Sequence, residues 1–224
     1  MRPSLARTLL PALAPLGLAL LVAGCSTTEP DPVPEPFDPA EQRIDGILIN
    51  HVESGSLVKA HFDAWSAKSA GAYDALLEKP VSGRGTTGFR FYVRDDDASQ
   101  LPWVENGYWE YDVEMEIVGN MTNPNFGGPE PPVDTIEASY TVLSRAELGD
   151  GVERTTVNAV IQILVGPDTG WIADTRLEIV SAPDDDGFLR IRMIGEFEVF
   201  RRLARADASA EDSSFGQIKS GYYP

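Results

Sequence analysis

Between Phe89 and Met193 apolar side chains recur at every second position, and that period of two marks extended chain with one buried and one wet face. The pattern appears in Phe89-Phe91-Val93 and in Trp109-Tyr111-Val113-Met115-Ile117, where Glu110, Asp112, Glu114 and Glu116 fill the intervening places. It returns in Ile136-Ala138-Tyr140-Val142, Val157-Ala159-Ile161-Ile163-Val165, Trp171-Ala173-Thr175-Leu177-Ile179 and Leu189-Ile191-Met193. Six strands are predicted. Leu148-Gly149-Asp150-Gly151, residues 166–170 and Pro183-Asp184-Asp185-Asp186-Gly187 supply the Gly and Asp that tight hairpin turns require. The last four strands therefore read as a sequential antiparallel meander.

Upstream the period is helical. Ile44, Ile47, Leu48, His51 and Val52 make one stripe; Leu57, Val58, His61, Phe62 and Trp65 make another after Ser54-Gly55-Ser56, a break that is either a kink or the junction of two helices. A further helix is expected over residues 70–77, ended by Lys79-Pro80. The expected architecture is α+β: N-terminal helices packed on a twisted antiparallel sheet of about six strands, forming a single domain over residues 40–205. A lipocalin-like β-barrel is the alternative. Residues 206–224 are expected to be a flexible acidic tail.

His61-Phe62-Asp63-Ala64-Trp65, followed by Ala72-Tyr73-Asp74-Ala75-Leu76-Leu77, resembles the first helices of NTF2-like (cystatin-like cone) domains, in which an aromatic-rich helix ending in Trp precedes a small acidic turn and a second helix. Gly170-Trp171-Ile172 is similar to a Gly-Trp-Ile near the end of that family's sheet. Ala67-Lys68-Ser69-Ala70-Gly71 stands here in place of the acidic turn. The resemblance implies a cone whose pocket would hold an acid or base, with His61 acting beside Asp63, Tyr73 or Asp74, as His and Asp do in cone-fold isomerases and cyclases. Such a carboxylate works near neutral pH only when shielded in an apolar cavity.

The N-terminus carries a second resemblance. Arg2 and Arg7 precede an apolar run over residues 8–23, no acidic residue occurs before Glu29, and Leu21-Val22-Ala23-Gly24 leads into Cys25. This resembles the lipobox signal peptide of bacterial lipoproteins. Pro11 and Pro15 interrupt a run already shorter than the roughly 20 residues that span a bilayer. The resemblance implies removal of residues 1–24, a diacylglycerol thioether on Cys25 and acylation of the new amino group. Acyl chains there would hold the protein firmly, at about 0.8 kcal/mol per buried methylene. In Gram-negative lipoproteins an Asp after the cysteine tends to retain the protein in the inner membrane, so with Ser26 at that place the resemblance implies an outer membrane facing the periplasm in a two-membrane host. Residues 26–39 alternate proline with acidic and small residues and read as an extended tether reaching roughly 40 Å.

Cys25 is the only cysteine. Its lipidation leaves no thiol for a disulfide, a nucleophile or a zinc site. The formal net charge of −17 drops by two more units, to −19, when Arg2 and Arg7 depart. A chain this acidic repels nucleic acid and anionic headgroups, so no nucleic-acid partner is expected.

Gly83-Arg84-Gly85-Thr86-Thr87-Gly88 has dinucleotide-fingerprint spacing, but it leaves a helix and enters a strand, the reverse of the context that aims amides at phosphates. Asp95-Asp96-Asp97 and Asp184-Asp185-Asp186 lack the spaced ligands and later Glu of a calcium loop. His51 and His61, the only histidines, would lie some 80° apart on one helix and make no metal pair. The acid ladder 110, 112, 114 and 116 is expected on a solvent face, with Arg190, Arg192, Glu196 and Glu198 available for cross-strand pairing. Residues 120–133, with Pro124, Pro129, Pro131 and Pro132, suggest a rim loop over a ligand. Hydrolase elbows and Walker loops are absent from the sequence.

Three functions stay open. The first is a membrane-anchored, periplasm-facing, non-enzymatic module that binds an apolar small molecule or an envelope protein, with Trp109, Tyr111, Tyr140 and Trp171 as ligand-binding candidates. The second is an isomerase or hydratase-type enzyme using His61 with Asp63 or Asp74, and the third is an envelope scaffold without a pocket. No cofactor or metal is expected.

Overall fold

The computed structural model describes residues 40–81, 88–167, 169–199, 209–212 and 214–223. Cys25, the signal segment and the tether lie outside them, as does most of the glycine-rich stretch 83–88. The chain divides into two units, Met1–Pro36 and Phe37–Pro224, and the described residues all belong to the second.

A short hairpin opens the domain: β1 (Glu41–Ile44) and β2 (Ile47–Asn50) pair antiparallel. The sequence predicts a helix here, and the turn explains the difference. Asp45 (φ 51°) and Gly46 (φ 82°) both adopt left-handed backbone, the two-residue turn that Asp-Gly favours and a helix cannot contain.

Next, α1 (Ser54–Ser66) forms one uninterrupted helix that includes the Ser-Gly-Ser segment and buries Leu57, Val58, His61, Phe62 and Trp65 along one stripe. Lys68 (φ 52°) ends the run. Ser69 then caps α2 (Ala70–Leu76) by accepting from the Ala72 amide at 3.0 Å, and Tyr73 and Leu76 turn inward. Burial of such side chains contributes about 1.5–3 kcal/mol each, so a Trp65→Ala change should remove about 3–5 kcal/mol.

Strand β3 (Arg90–Tyr92) leads through α3 (Asp95–Ala98) to β4 (Tyr108–Glu110). At Tyr111 the chain departs from the predicted strand over 109–117 and becomes α4 (Tyr111–Thr122). Its buried residues are Glu114, Ile117, Val118 and Met121, spaced three, four and seven apart, which is a helical stripe. The apparent alternation misleads because the stripe begins with a buried acid. Of the ladder, Glu110, Asp112 and Glu116 are exposed as expected, whereas Glu114 is fully buried.

The meander matches expectation: β5 (Thr135–Gly149), β6 (Val152–Leu164), β7 (Thr169–Pro183) and β8 (Leu189–Val199) pair antiparallel in sequence. Core-facing rows Val157, Ala159, Ile161, Ile163 and Ala173, Thr175, Leu177, Ile179 are buried, as the period of two requires. Gly170 is obligatory: a Cβ there would stand 2.1 Å from the Ile163 carbonyl oxygen. The sheet is mixed rather than antiparallel throughout, because β3 joins β8 in parallel and β9 (Ser209–Asp212) joins β7 in parallel. The strand order is β4-β3-β8-β7-β6-β5, and among the described residues edges β4 and β5 do not pair. An α+β domain with an open sheet replaces the barrel alternative, since a barrel closes its edges.

Irregularities in β8 re-aim an acid. Arg192 and Phe197 have no register partner on β7, so the side-chain phase slips at each. Glu196, which simple alternation puts on the wet face with Arg190 and Arg192, pairs instead opposite buried Leu177 and faces the core, 2% exposed.

Finally, α5 (Phe215–Ser220) buries Phe215, Ile218 and Lys219, and Tyr222 beyond it is also buried. Residues 214–223 are thus packed into the domain, with Phe215, Ile218, Lys219 and Tyr222 buried, rather than forming part of the expected flexible tail. A complete capping box (Ser214 with Gln217) starts the helix, and Glu196 accepts the Phe215 and Gly216 amides at 2.9 and 2.8 Å.

Candidate functional site: a buried carboxylate and ammonium

Four elements converge on one interior point. Glu114 from α4 accepts hydrogen bonds from Tyr73 Oη on α2 (2.5 Å) and Trp109 Nε1 on β4 (2.7 Å). Lys219 from α5 brings its ammonium to 2.5 and 2.6 Å from the two carboxylate oxygens. Both partners are fully buried. Burial pulls the Lys219 pKa down, opposed by the charge and hydrogen bonds of Glu114, and burial beside Glu114 pushes the Tyr73 hydroxyl well up. Tyr73 therefore stays protonated as a donor, and the centre is a compensated ion pair.

Aromatic rings complete it. Lys219 Nζ lies 3.9 Å from the Phe91 ring centroid, 5.1 Å from Phe215, 5.4 Å from Trp109 and 5.5 Å from Trp65. Phe91 and Trp109 stack at 4.6 Å across the β3–β4 pair, which holds two walls in fixed relation.

His61 is beside this centre and takes no part in its hydrogen bonding. Its ring contacts Tyr73 and Phe62 at 5.3 and 5.1 Å, it is fully buried, and neither ring nitrogen has a hydrogen-bond partner among the described residues. Burial, and secondarily the Lys219 charge, push its pKa down to about 3. Asp63 faces outward and pairs with Lys59 at 2.5 Å, so the two candidates on α1 do not meet. Asp74 is elsewhere again. It takes Lys79 at 2.8 Å and a short hydrogen bond from Tyr111 on the wall of a surface groove of about 530 Å³. That groove also contains Glu78 with Arg192 (2.7 and 2.8 Å) and Asp184 with Arg190 (3.1 Å).

The four aromatic candidates separate in the same way. Trp109 belongs to the interior centre and Tyr111 donates to Asp74, while Tyr140 stacks on Phe62 at 4.4 Å and Trp171 lies edge-on to Tyr222 at 6.4 Å. Sequence reasoning missed Glu114, Lys219, Tyr73 as a partner of Glu114, and Phe91. The one available signal was the helical spacing of Glu114 with Ile117, Val118 and Met121.

His51 is buried in the turn after β2. Its hydrogen bonds fit one tautomer, with Nδ1 donating to the Leu189 carbonyl (3.1 Å) and Nε2 accepting from Arg190 (3.0 Å). Burial and the Arg190 charge lower its pKa. The Asp184 carboxylate closes the β7–β8 turn by accepting the Asp186 and Phe188 amides, and Asp97 is buried beside Arg94. Among the described residues no group of three or more His, Cys, Asp or Glu could hold a metal ion, and no helix is long and apolar enough to cross a membrane.

The fold is thus an α+β domain with a mixed sheet, centred on an ammonium held in aromatic surroundings. Among solved structures it is similar to an NTF2-like family protein from Streptomyces avermitilis (11% identity, 67% of this chain and 96% of that one, TM-score 0.48). It is also similar to an NTF2-like protein of unknown function from Shewanella oneidensis (13%, 64% and 95%, TM-score 0.41) and to a protein with a cystatin-like fold from Caulobacter vibrioides (14%, 66% and 87%, TM-score 0.43). No family model matches the chain, and no curated protein matches it.

Proposed function

We propose that this chain is a lipid-anchored, periplasm-facing lipoprotein whose folded domain binds rather than catalyses. The anchor reading is supported by Leu21-Val22-Ala23-Gly24-Cys25 behind a basic and then apolar segment. The binding reading is carried by one observation: Glu114 is spent on three donors of the chain itself, with a lysine ammonium on both of its oxygens. A general base needs a proton to take and a pKa near the working pH. His61, neutral and without a hydrogen-bond partner among the described residues, meets neither condition, and Asp63 is turned away from it. The isomerase or hydratase reading, which would use His61 with a carboxylate, has correspondingly less support.

Labelled palmitate should enter the wild-type chain and not Cys25→Ala; equal labelling of both overturns the address. Native mass spectrometry of the protein purified from its own host should show a retained small molecule or partner protein. Neither being retained supports a scaffold instead, and turnover lost in a folded His61→Ala variant would support the enzyme.

A further inference from the structure

The walls around Lys219 and Lys219 itself come from different parts of the chain. Trp65, Tyr73, Phe91, Trp109 and Glu114 lie on α1, α2, β3, β4 and α4; the ammonium arrives on α5, bringing only Phe215 of the surrounding rings. Without α5 the receptor keeps three aromatic rings, a carboxylate and a phenol donor converging on one point. Ring faces attract a cation through their quadrupoles, and a carboxylate with both oxygens available binds an ammonium by charge-assisted hydrogen bonds. Together they discriminate against neutral and anionic ligands of the same size, because each would leave Glu114 buried without a counter-ion.

Two more observations favour exchange of the occupant. Both ring nitrogens of His61, buried beside this centre, lack a hydrogen-bond partner among the described residues, so acceptor capacity beyond that used by Lys219 is present. Six residues are also too few for an independently stable helix. α5 therefore holds its place through Lys219, its apolar anchors and the amides seated on Glu196.

We propose that this box is a binding site for a primary alkylammonium ligand, and that Lys219 on α5 is its resident competitor, displaced when the ligand enters. The proposal rests on the binding-module reading above and names the chemistry of the ligand. An internal competitor weakens the apparent affinity of the wild-type protein by the fraction of time that the box is empty.

The test uses the full chain with n-butylammonium, which reproduces the lysine stem and charge, and n-butanol as its neutral counterpart. Lys219→Ala should show a saturable rise in unfolding temperature with n-butylammonium and none with n-butanol, and should bind the amine at least tenfold more tightly than wild type. Lys219→Met, which keeps the box filled, should not respond. In wild type, n-butylammonium should speed amide exchange over residues 215–222. Equal response of Lys219→Ala to amine and alcohol, response to neither, or a Lys219→Met response as strong as that of Lys219→Ala each overturns the proposal. If Lys219→Ala does not fold alone, the amine must restore folding, and unchanged wild-type exchange at saturating amine overturns the proposal independently. Palmitate labelling and native mass spectrometry report separately on the underlying reading, so the two can fail apart.

Discussion

Two ion pairs in this domain have the same length and opposite surroundings. Lys59 and Asp63 meet at 2.5 Å on the outer side of α1 with side chains 66% and 42% exposed, and Lys219 and Glu114 meet at 2.5 Å with both fully buried. Distance alone would rate them equal. Water screens the first pair, which contributes about 0.2–1 kcal/mol at best. The second pair gains from a low dielectric but has lost the hydration of both ions, so its net worth is modest while the penalty for breaking it is large. What an ion pair does for a fold depends on what surrounds it.

The largest expected effect is loss of one buried partner. Lys219→Ala should lower stability by about 3–5 kcal/mol in denaturant titration, since Glu114 stays buried and loses its partner. The double change Glu114→Gln, Lys219→Met should recover most of that loss; failure to recover would assign the damage to packing rather than to charge.

Next comes pH. His61 has a folded pKa of about 3, below the unfolded value of 6.5, so the folded state binds fewer protons. Stability should therefore fall as pH drops below 6.5 toward 3, by up to about 1.4 kcal/mol per pH unit from this group. His61→Leu should flatten that slope, measured as the wild-type-minus-variant difference at pH 7, 5.5 and 4. The smallest effect belongs to the exposed pair: Lys59→Ala should cost under about 1 kcal/mol at low ionic strength, and the difference should vanish in 1 M salt.

The meander was readable because β5 to β8 obey simple physics: one face wet, one face dry, Gly and Asp at the turns. Helices α1 and α2 were readable for the same reason at a period of 3.6. Misreading began wherever a polar residue is buried or a turn is hidden. Asp45-Gly46 splits what looks like a continuous helical stripe into a hairpin. Glu114 occupies a buried place in a helix, so α4 looks like a strand with an acidic face. Glu196 is rotated inward by unpaired residues in β8 that no alternation rule anticipates. Lys219 was invisible as a site residue because its meaning depends on an acid 105 positions earlier in the chain. Hydrophobic patterning reports desolvated carbon; it does not report a desolvated charge whose partner is remote.

That separation bears on how the molecule is made. As the chain emerges from its amino end, whether from a ribosome or across a membrane, the segments that surround Glu114 arrive before its cation does. Final consolidation then awaits the arrival of α5, and a nascent or prematurely stopped product lacking it would present Phe91, Trp109 and an unneutralised acid to proteases and chaperones.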